Sequence, residues 1–257
     1  MPDNWFIGVV PLLQQMPLEN RVFLSAEWRE LVMLNYEVDR TLLKDYVPPG
    51  TVLDSFDGRT YVSLVGFQFR QTRLFGSLAI PFHADFDEVN LRFYVRRSGE
   101  NEDRRGVVFI AEIVPKWAVA KIARLVYGEN YVCLPMKHSI NMNGAAKTAE
   151  YCWQLNGAWC RLYAQTSVAP AYAAEGSLEQ FITEHYWGYS AQRIGDALEY
   201  HVSHVRWNVW ATSAAGFEGD ACSLYGSELG DVLRRRPDSA FIADGSPVIV
   251  FAGKRIR

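Results

Sequence analysis

The sequence contains four dipeptides in which Asp or Asn precedes Gly, and they constrain its fold more than any other feature. They are Asp57-Gly58, Asn143-Gly144, Asn156-Gly157 and Asp244-Gly245. Such pairs tolerate the positive φ angles that tight β-hairpin turns require. The sequence therefore predicts antiparallel strands beside most of them and a chain in which strands predominate.

Several segments have the length and the β-branched and aromatic content that strands favour. They are residues 28–38, 59–70, 89–97, 107–113, 145–155, 158–167, 198–210 and 247–251. The segment 61–69 is apolar on both alternating faces, which predicts a central strand covered on both sides.

Only three short helices are expected, at 40–46, 117–127 and 178–185. Asp39 caps the first, and Ser177 with Gln180 forms a capping box for the third.

The charge balance argues against nucleic acid and membrane as partners. The net charge is −3, and attraction to phosphate groups needs clustered positive charge. No segment has transmembrane length, and the apolar stretch 5–13 lacks the basic region of a signal peptide. We therefore expect a cytoplasmic protein with a small-molecule ligand, whose assembly into a homo-oligomer stays open.

The composition predicts one domain, residues 1–257, because hydrophobic residues make up 49% of the chain and can form a sizeable core. The cysteines show no metal-finger spacing, and the histidines and acids near His83 and His201 lack a tetrahedral zinc pattern. No metal or cofactor is indicated.

The segment 28–39, with Val47-Pro48-Pro49 after it, resembles the opening strand and helix of acetoacetate decarboxylases. Further segments resemble the YqjF-like branch of that superfamily, in the same order: 54–67, 86–95, 106–136, 181–186 and 204–207. The resemblance implies a mostly β (α+β) fold, an antiparallel closed β-cone or barrel with a few short helices around a ligand cavity.

The chain departs from the decarboxylase pattern where those enzymes carry their Schiff-base lysine. One register of that motif places Tyr131 at the lysine position, and another places Met136 there with Lys137 beside it. Without an adjacent second cation, the usual means of lowering the pKa of a lysine is missing. Schiff-base decarboxylation through Lys137 therefore stays an alternative, and Tyr131 and Met136 are candidate ligand-binding residues.

Strand alternation places Glu88, Asn90, Arg92 and Tyr94 on one face, with apolar residues on the other. This polar face either meets solvent or lines the cavity. In a cavity, Arg92 could hold a carboxylate while Glu88 moves a proton. Arg29, which matches the decarboxylase opening strand, could bind a carboxylate too, or form an ion pair with Glu30 or Glu37.

Two hypotheses follow for the function. The first is an enzyme that acts on a small oxo or carboxylate compound by acid/base chemistry, with Glu88, Arg92 and Lys137 as candidate catalytic residues. The second is a protein that sequesters a small apolar acid without turnover. Asn90, Tyr94, Tyr131, Met136 and Arg29 are the candidate ligand-binding residues for both.

Overall fold

The computed structural model describes residues 21–79, 82–99, 102–192 and 195–257, and strands dominate it. The strands are β1 (Val22–Val38), β2 (Val52–Leu53), β3 (Thr60–Leu74), β4 (Leu78–Ala79), β5 (Phe86–Ser98), β6 (Asp103–Val114), β7 (Tyr131–Cys133), β8 (Met136–Asn143), β9 (Ala146–Leu155), β10 (Ala158–Thr166), β11 (Ala171–Tyr172), β12 (Trp187–Ala191), β13 (Ala197–Ser203), β14 (Asn208–Glu218), β15 (Ser239–Phe251) and β16 (Lys254–Ile256). The α-helices are α1 (Trp117–Val126), α2 (Leu178–Thr183) and α3 (Cys222–Leu233).

Part of the sheet closes into a ring, in the order β15, β1, β3, β5, β6, β12 and β13. The ring closes where β13 pairs with β15, through Val202 opposite Val250 and Ser203 opposite Ile249. The predicted closed, mostly β fold is confirmed. It differs from the expectation in being mixed, because β6 pairs with both β7 and β12 in parallel. The chain leaves β6 and returns to it through long connections, as parallel pairing requires.

A second layer of strands covers the outside of the ring. The hairpins of β8, β9 and β10 pack on β1 and β3, where Tyr151 and Leu162 sit against Gly66. Segment 61–69 is buried along its whole length, as predicted, because one face meets this layer and the other meets the ring interior.

The glycine dipeptides form turns at three of the four positions. Asn156 and Gly157 both have positive φ and join β9 to β10, Gly144 turns β8 into β9, and Asp57-Gly58 turns between Phe56 and Arg59. The prediction for Asp244-Gly245 is wrong, because this pair lies inside β15. Gly245 is needed there for a different reason, since a Cβ atom would lie 2.0 Å from the carbonyl oxygen of Trp28.

The helix predictions are confirmed with small shifts. Residues 40–46 form a 3-10 helix whose Asp39 side chain accepts from the Thr41 amide, and α1 and α2 lie within the predicted ranges. Predicted strand 198–210 is interrupted at residues 204–207. Helix α3 was not predicted from the sequence, because its Gly226 and Gly230 are poor helix formers. No described helix is both long and apolar enough to cross a membrane.

Candidate functional site

The ring encloses a cavity that is mostly apolar and carries polar side chains in its middle. Its empty volume is about 1230 Å³, including the part open to solvent. The polar lining residues are Thr72, His83, Glu88, Asn90, Arg92, Glu112, Tyr127, Glu129, Tyr131, Thr183, His185, Tyr200 and His204. A predominantly apolar cavity with a few convergent polar groups is typical of small-molecule sites.

The inner face of β5 supplies the central line of these residues. Phe86, Glu88, Asn90 and Arg92 follow one another into the cavity, spaced about 6.7 Å apart because alternate residues share a face. Cross-strand pairing joins Asn90 to Glu112 on β6, and Glu112 to Tyr131 on β7. The polar face predicted from alternation is therefore buried and faces inward.

Three carboxyl groups meet in this part of the cavity, those of Glu88, Glu112 and Glu129, and all are buried. Glu88 accepts hydrogen bonds from Asn90 Nδ2 at 3.0 Å and from the Tyr131 hydroxyl at 3.3 Å. Glu129 accepts one from the Tyr200 hydroxyl at 2.5 Å.

Burial raises the pKa of each of these carboxyl groups. The pKa of Glu88 rises to about 7, although the two hydrogen bonds and the charge of Arg92 oppose the rise. The pKa of Glu129 rises to about 8, with the charge of Glu88 adding to burial. The pKa of Glu112 lies well above its ordinary value because burial is reinforced by Glu129 and Glu88. Near neutral pH, therefore, Glu88 can both give and take a proton, while the other two are mainly protonated.

Arg92 is the cation of the site, and its charge has no direct counter-ion among the described residues. In the described part of the chain, no carboxylate lies within ion-pair distance of its guanidinium, although Arg92 is only 8% exposed. Its Nε has no hydrogen-bond partner, and one terminal nitrogen lies 4.0 Å from the sulfur of Met33. Buried charges are normally paired, so this guanidinium is available to an anion.

His185 follows α2 and lines the cavity. Its ring lies 4.6 Å from that of Tyr94, and its Nε2 is 3.6 Å from Asp54. Burial lowers the pKa of His185 to about 4 against the opposing effect of Asp54, so the imidazole is neutral at pH 7.

Several buried polar atoms of the cavity lack a hydrogen-bond partner within the described residues. They are Oδ1 of Asn90, Nε of Arg92, Oε2 of Glu112 and both ring nitrogens of His185. Because buried polar groups are nearly always paired, this cluster indicates a place for a polar ligand or for water.

The structure brings together some of the predicted site residues and not others. Glu88, Asn90, Arg92 and Tyr131 line the cavity. Tyr94 is buried just behind it, where its hydroxyl bonds to Ser63 at 2.6 Å.

Three predicted residues lie elsewhere. Arg29 is partly exposed and is not among the residues that line the cavity, and it forms its ion pair with Glu27 at 3.0 Å rather than with Glu30 or Glu37. Lys137 is exposed on β8, with its ammonium 4.4 Å from the ring of Trp159, and Met136 packs into the core of the outer layer. Both lie outside the cavity because β8 belongs to the layer that covers the ring.

Glu112, Glu129, Tyr200 and His185 line the cavity but are not among the site residues predicted from the sequence. Glu112 has a recognisable signal, since it is the only charged residue in the apolar stretch 106–114. The other three reach the cavity from segments far apart in the chain. No lysine of the sequence lines the cavity, and the described residues contain no group of histidine, cysteine and acidic residues arranged to hold a metal ion.

Solved structures with this fold include several acetoacetate decarboxylase-like proteins. The acetoacetate decarboxylase of Legionella pneumophila is 14% identical, with a TM-score of 0.64 over 100% of this chain and 98% of that one. The enduracididine biosynthesis enzyme MppR, complexed with pyruvate, is 14% identical, with a TM-score of 0.63 over 94% of this chain and 93% of that one. At these identities the likeness establishes the fold.

Sequence comparison establishes the family. The protein YqjF of Bacillus subtilis (strain 168) is 26% identical over 166 residues, which span 65% of this chain and 66% of YqjF. The model of the family DUF2071, described as "Uncharacterized conserved protein (COG2071)", matches residues 25–247. The chain therefore belongs to the DUF2071 family and has an acetoacetate decarboxylase-like fold.

Proposed function

We propose that this protein binds a carboxylic acid in the ring cavity through Arg92 and transfers a proton to and from it with Glu88. The observation that carries the proposal is the buried guanidinium of Arg92, which faces the cavity with no carboxylate at ion-pair distance among the described residues. A ligand carboxylate would supply the missing anion and could accept two parallel hydrogen bonds from the guanidinium.

The protonation states of the neighbouring groups favour an anionic ligand. Three carboxylates would repel it, but burial raises the pKa values of Glu112 and Glu129 and keeps them mainly neutral at pH 7. His185 is neutral too, so the positive charge of Arg92 is not cancelled by its surroundings. Protonated Glu112 can also donate a hydrogen bond, which an oxo group of the ligand would accept.

Glu88 is suited to acid/base work beside that ligand because its pKa of about 7 is close to working pH. On a 2-oxo acid, its carboxylate would take a proton from the carbon next to the carbonyl group. The electron pair of that C–H bond would move to the carbonyl oxygen as an enolate, and return of the proton reverses the step. Arg92 and the hydroxyl of Tyr131 would stabilise the developing negative charge.

Binding is tested by titration calorimetry with pyruvate, the ligand of the MppR complex. Arg92→Leu is expected to weaken binding about 100-fold, since a hydrogen-bonded charge contributes up to about 3 kcal/mol. Arg234→Leu, on the surface, is the matched control and should leave the affinity unchanged. Equal affinities of the wild-type protein and Arg92→Leu would refute the proposed site.

Catalysis is tested by following exchange of the pyruvate methyl protons in heavy water by NMR. The wild-type protein should accelerate exchange, and Glu88→Gln should abolish the acceleration while the ligand still binds. Binding without accelerated exchange would instead support the second candidate, a protein that sequesters the acid without turnover. The mostly apolar lining of the cavity is the observation that favours this candidate.

A further inference from the structure

The cavity is lined by a cluster of aromatic side chains that the proposed chemistry does not use. Trp28 on β1 pairs with Phe69 on β3, and Phe69 pairs with Phe86 on β5, so the three form a cross-strand row. Phe67 and Trp207 adjoin this row, and all five rings line the cavity. We call these five residues the aromatic wall.

The rings of the aromatic wall pack against one another, and the wall shares strand β5 with Arg92. The rings of Phe69 and Phe86 stack with centroids 4.7 Å apart, and Trp28 lies edge-on to Phe67 at 5.6 Å. Phe86 and Arg92 occupy the same face of β5 six residues apart, which corresponds to about 20 Å along the strand. Glu88 and Asn90 lie between them on this face of the strand.

A short acid cannot use this arrangement. With its carboxylate on Arg92, pyruvate would end near Glu88 and Asn90 and leave the aromatic wall uncovered. Apolar side chains also line the cavity, among them Leu31, Leu74, Ile122, Val202 and Val250. Removing such a surface from water is favourable in proportion to its area, so an apolar ligand group would gain affinity there.

We propose that the natural ligand is a carboxylic acid with an extended apolar tail, aromatic at its far end, and that the aromatic wall selects it. This inference rests on the proposed function, because it assumes that the carboxylate binds Arg92. It adds the class of substrate: an aryl-substituted or long-chain oxo acid, with its reacting carbon beside Glu88 and its tail against Trp28, Phe69 and Phe86.

The test is the affinity of wild-type protein for two series of 2-oxo acids, measured by calorimetry. The straight-chain series runs from pyruvate to 2-oxooctanoate, and the aryl series contains phenylpyruvate and 4-phenyl-2-oxobutanoate. Affinity is expected to rise about fourfold for each added methylene that is buried, and the aryl acids should bind best. This comparison uses the unmodified protein, so it does not depend on any variant folding.

Variants of the aromatic wall test whether it causes the preference for acids with long or aryl tails. Phe69→Leu and Trp28→Phe are expected to reduce the ratio of 4-phenyl-2-oxobutanoate affinity to pyruvate affinity by about tenfold. Tyr172→Leu is the control, because Tyr172 is 63% exposed and lies outside the cavity. Its ratio should match that of the wild-type protein.

The possible failures are distinguishable. If pyruvate and the long acids bind equally and all depend on Arg92, the aromatic wall selects nothing and this inference is overturned, while the proposed function stands. If tail length matters but the variants of Trp28 and Phe69 keep the full preference, the wall is wrongly assigned. If none of the acids binds, the proposed function and this inference both fail.

Discussion

The hydroxyl of Tyr131 donates a hydrogen bond of 3.3 Å to Oε2 of Glu88, and so joins the short strand β7 to the central line of the cavity. Tyr131 is held in this position by its own backbone, since its carbonyl oxygen accepts from Nε of Arg124 at 2.7 Å on α1. The hydrogen bond from Tyr131 to Glu88 opposes the rise that burial causes in the pKa of Glu88.

Tyr131→Phe is therefore expected to raise the pKa of Glu88 further. In the pH profile of pyruvate methyl exchange, the rise in rate should shift to a pH about one unit higher. The reason is that the ionised carboxylate of Glu88 loses a hydrogen-bond donor that stabilises it. Tyr46→Phe, a substitution of the same kind near the surface, should leave the profile in place. An unchanged profile for Tyr131→Phe would show that Glu88 is not the base.

Arg92→Leu should cost little stability although it removes a buried charge. Arg92 has no carboxylate at ion-pair distance in the described structure, so its removal leaves no buried carboxylate without a partner. The free energy of unfolding should therefore change by less than about 1 kcal/mol.

The comparison is Arg104→Leu, which removes one of two cations paired with the buried Glu199. It is expected to destabilise the protein by about 2 kcal/mol. Urea unfolding measures both variants. A larger loss in Arg92→Leu than in Arg104→Leu would indicate that Arg92 serves the fold.

The raised pKa of Glu129 predicts how stability depends on pH. Folded protein keeps a proton up to pH 8 or so, whereas the unfolded chain releases it near its ordinary pKa of about 4.3. The folded state then binds more protons between these values, so the free energy of unfolding falls as the pH rises through this window.

Glu129→Gln replaces the carboxyl group with an amide that is neutral at every pH. It should therefore remove the part of this decline that Glu129 causes, which is on the order of 3 kcal/mol between about pH 5 and pH 8. Urea unfolding at several pH values checks the slope, and Glu228→Gln on the exposed side of α3 is the control. If Glu129→Gln leaves the slope of unfolding free energy against pH unchanged, other titrating groups cause the pH dependence.

Lys137 is expected to form no Schiff base. Its ammonium lies over Trp159 on the outer layer, and no lysine is among the described residues that line the cavity. Borohydride added with acetoacetate or pyruvate should leave the protein mass unchanged in intact mass spectrometry. A stable added mass that disappears in Lys137→Ala would reinstate the Schiff-base alternative.

Local pattern was enough to predict much of this protein. Alternation along β5 grouped Glu88, Asn90 and Arg92 on one face, because side chains of a strand point alternately to opposite sides. The doubly apolar segment 61–69 predicted a covered central strand, and the acid and amide residues before glycine predicted most of the turns.

The tertiary structure decided which side of each strand became the interior. Closure of β13 on β15 turned the polar face of β5 inward, whereas β8 lies on the outer layer, so Lys137 and Met136 were separated from Tyr131 although they are close in sequence. Glu112, Glu129 and His185 come to line the same cavity as Glu88 through pairing and packing between distant segments. Alternation relates neighbours along one strand, but only the ring determines which strands face each other across the cavity.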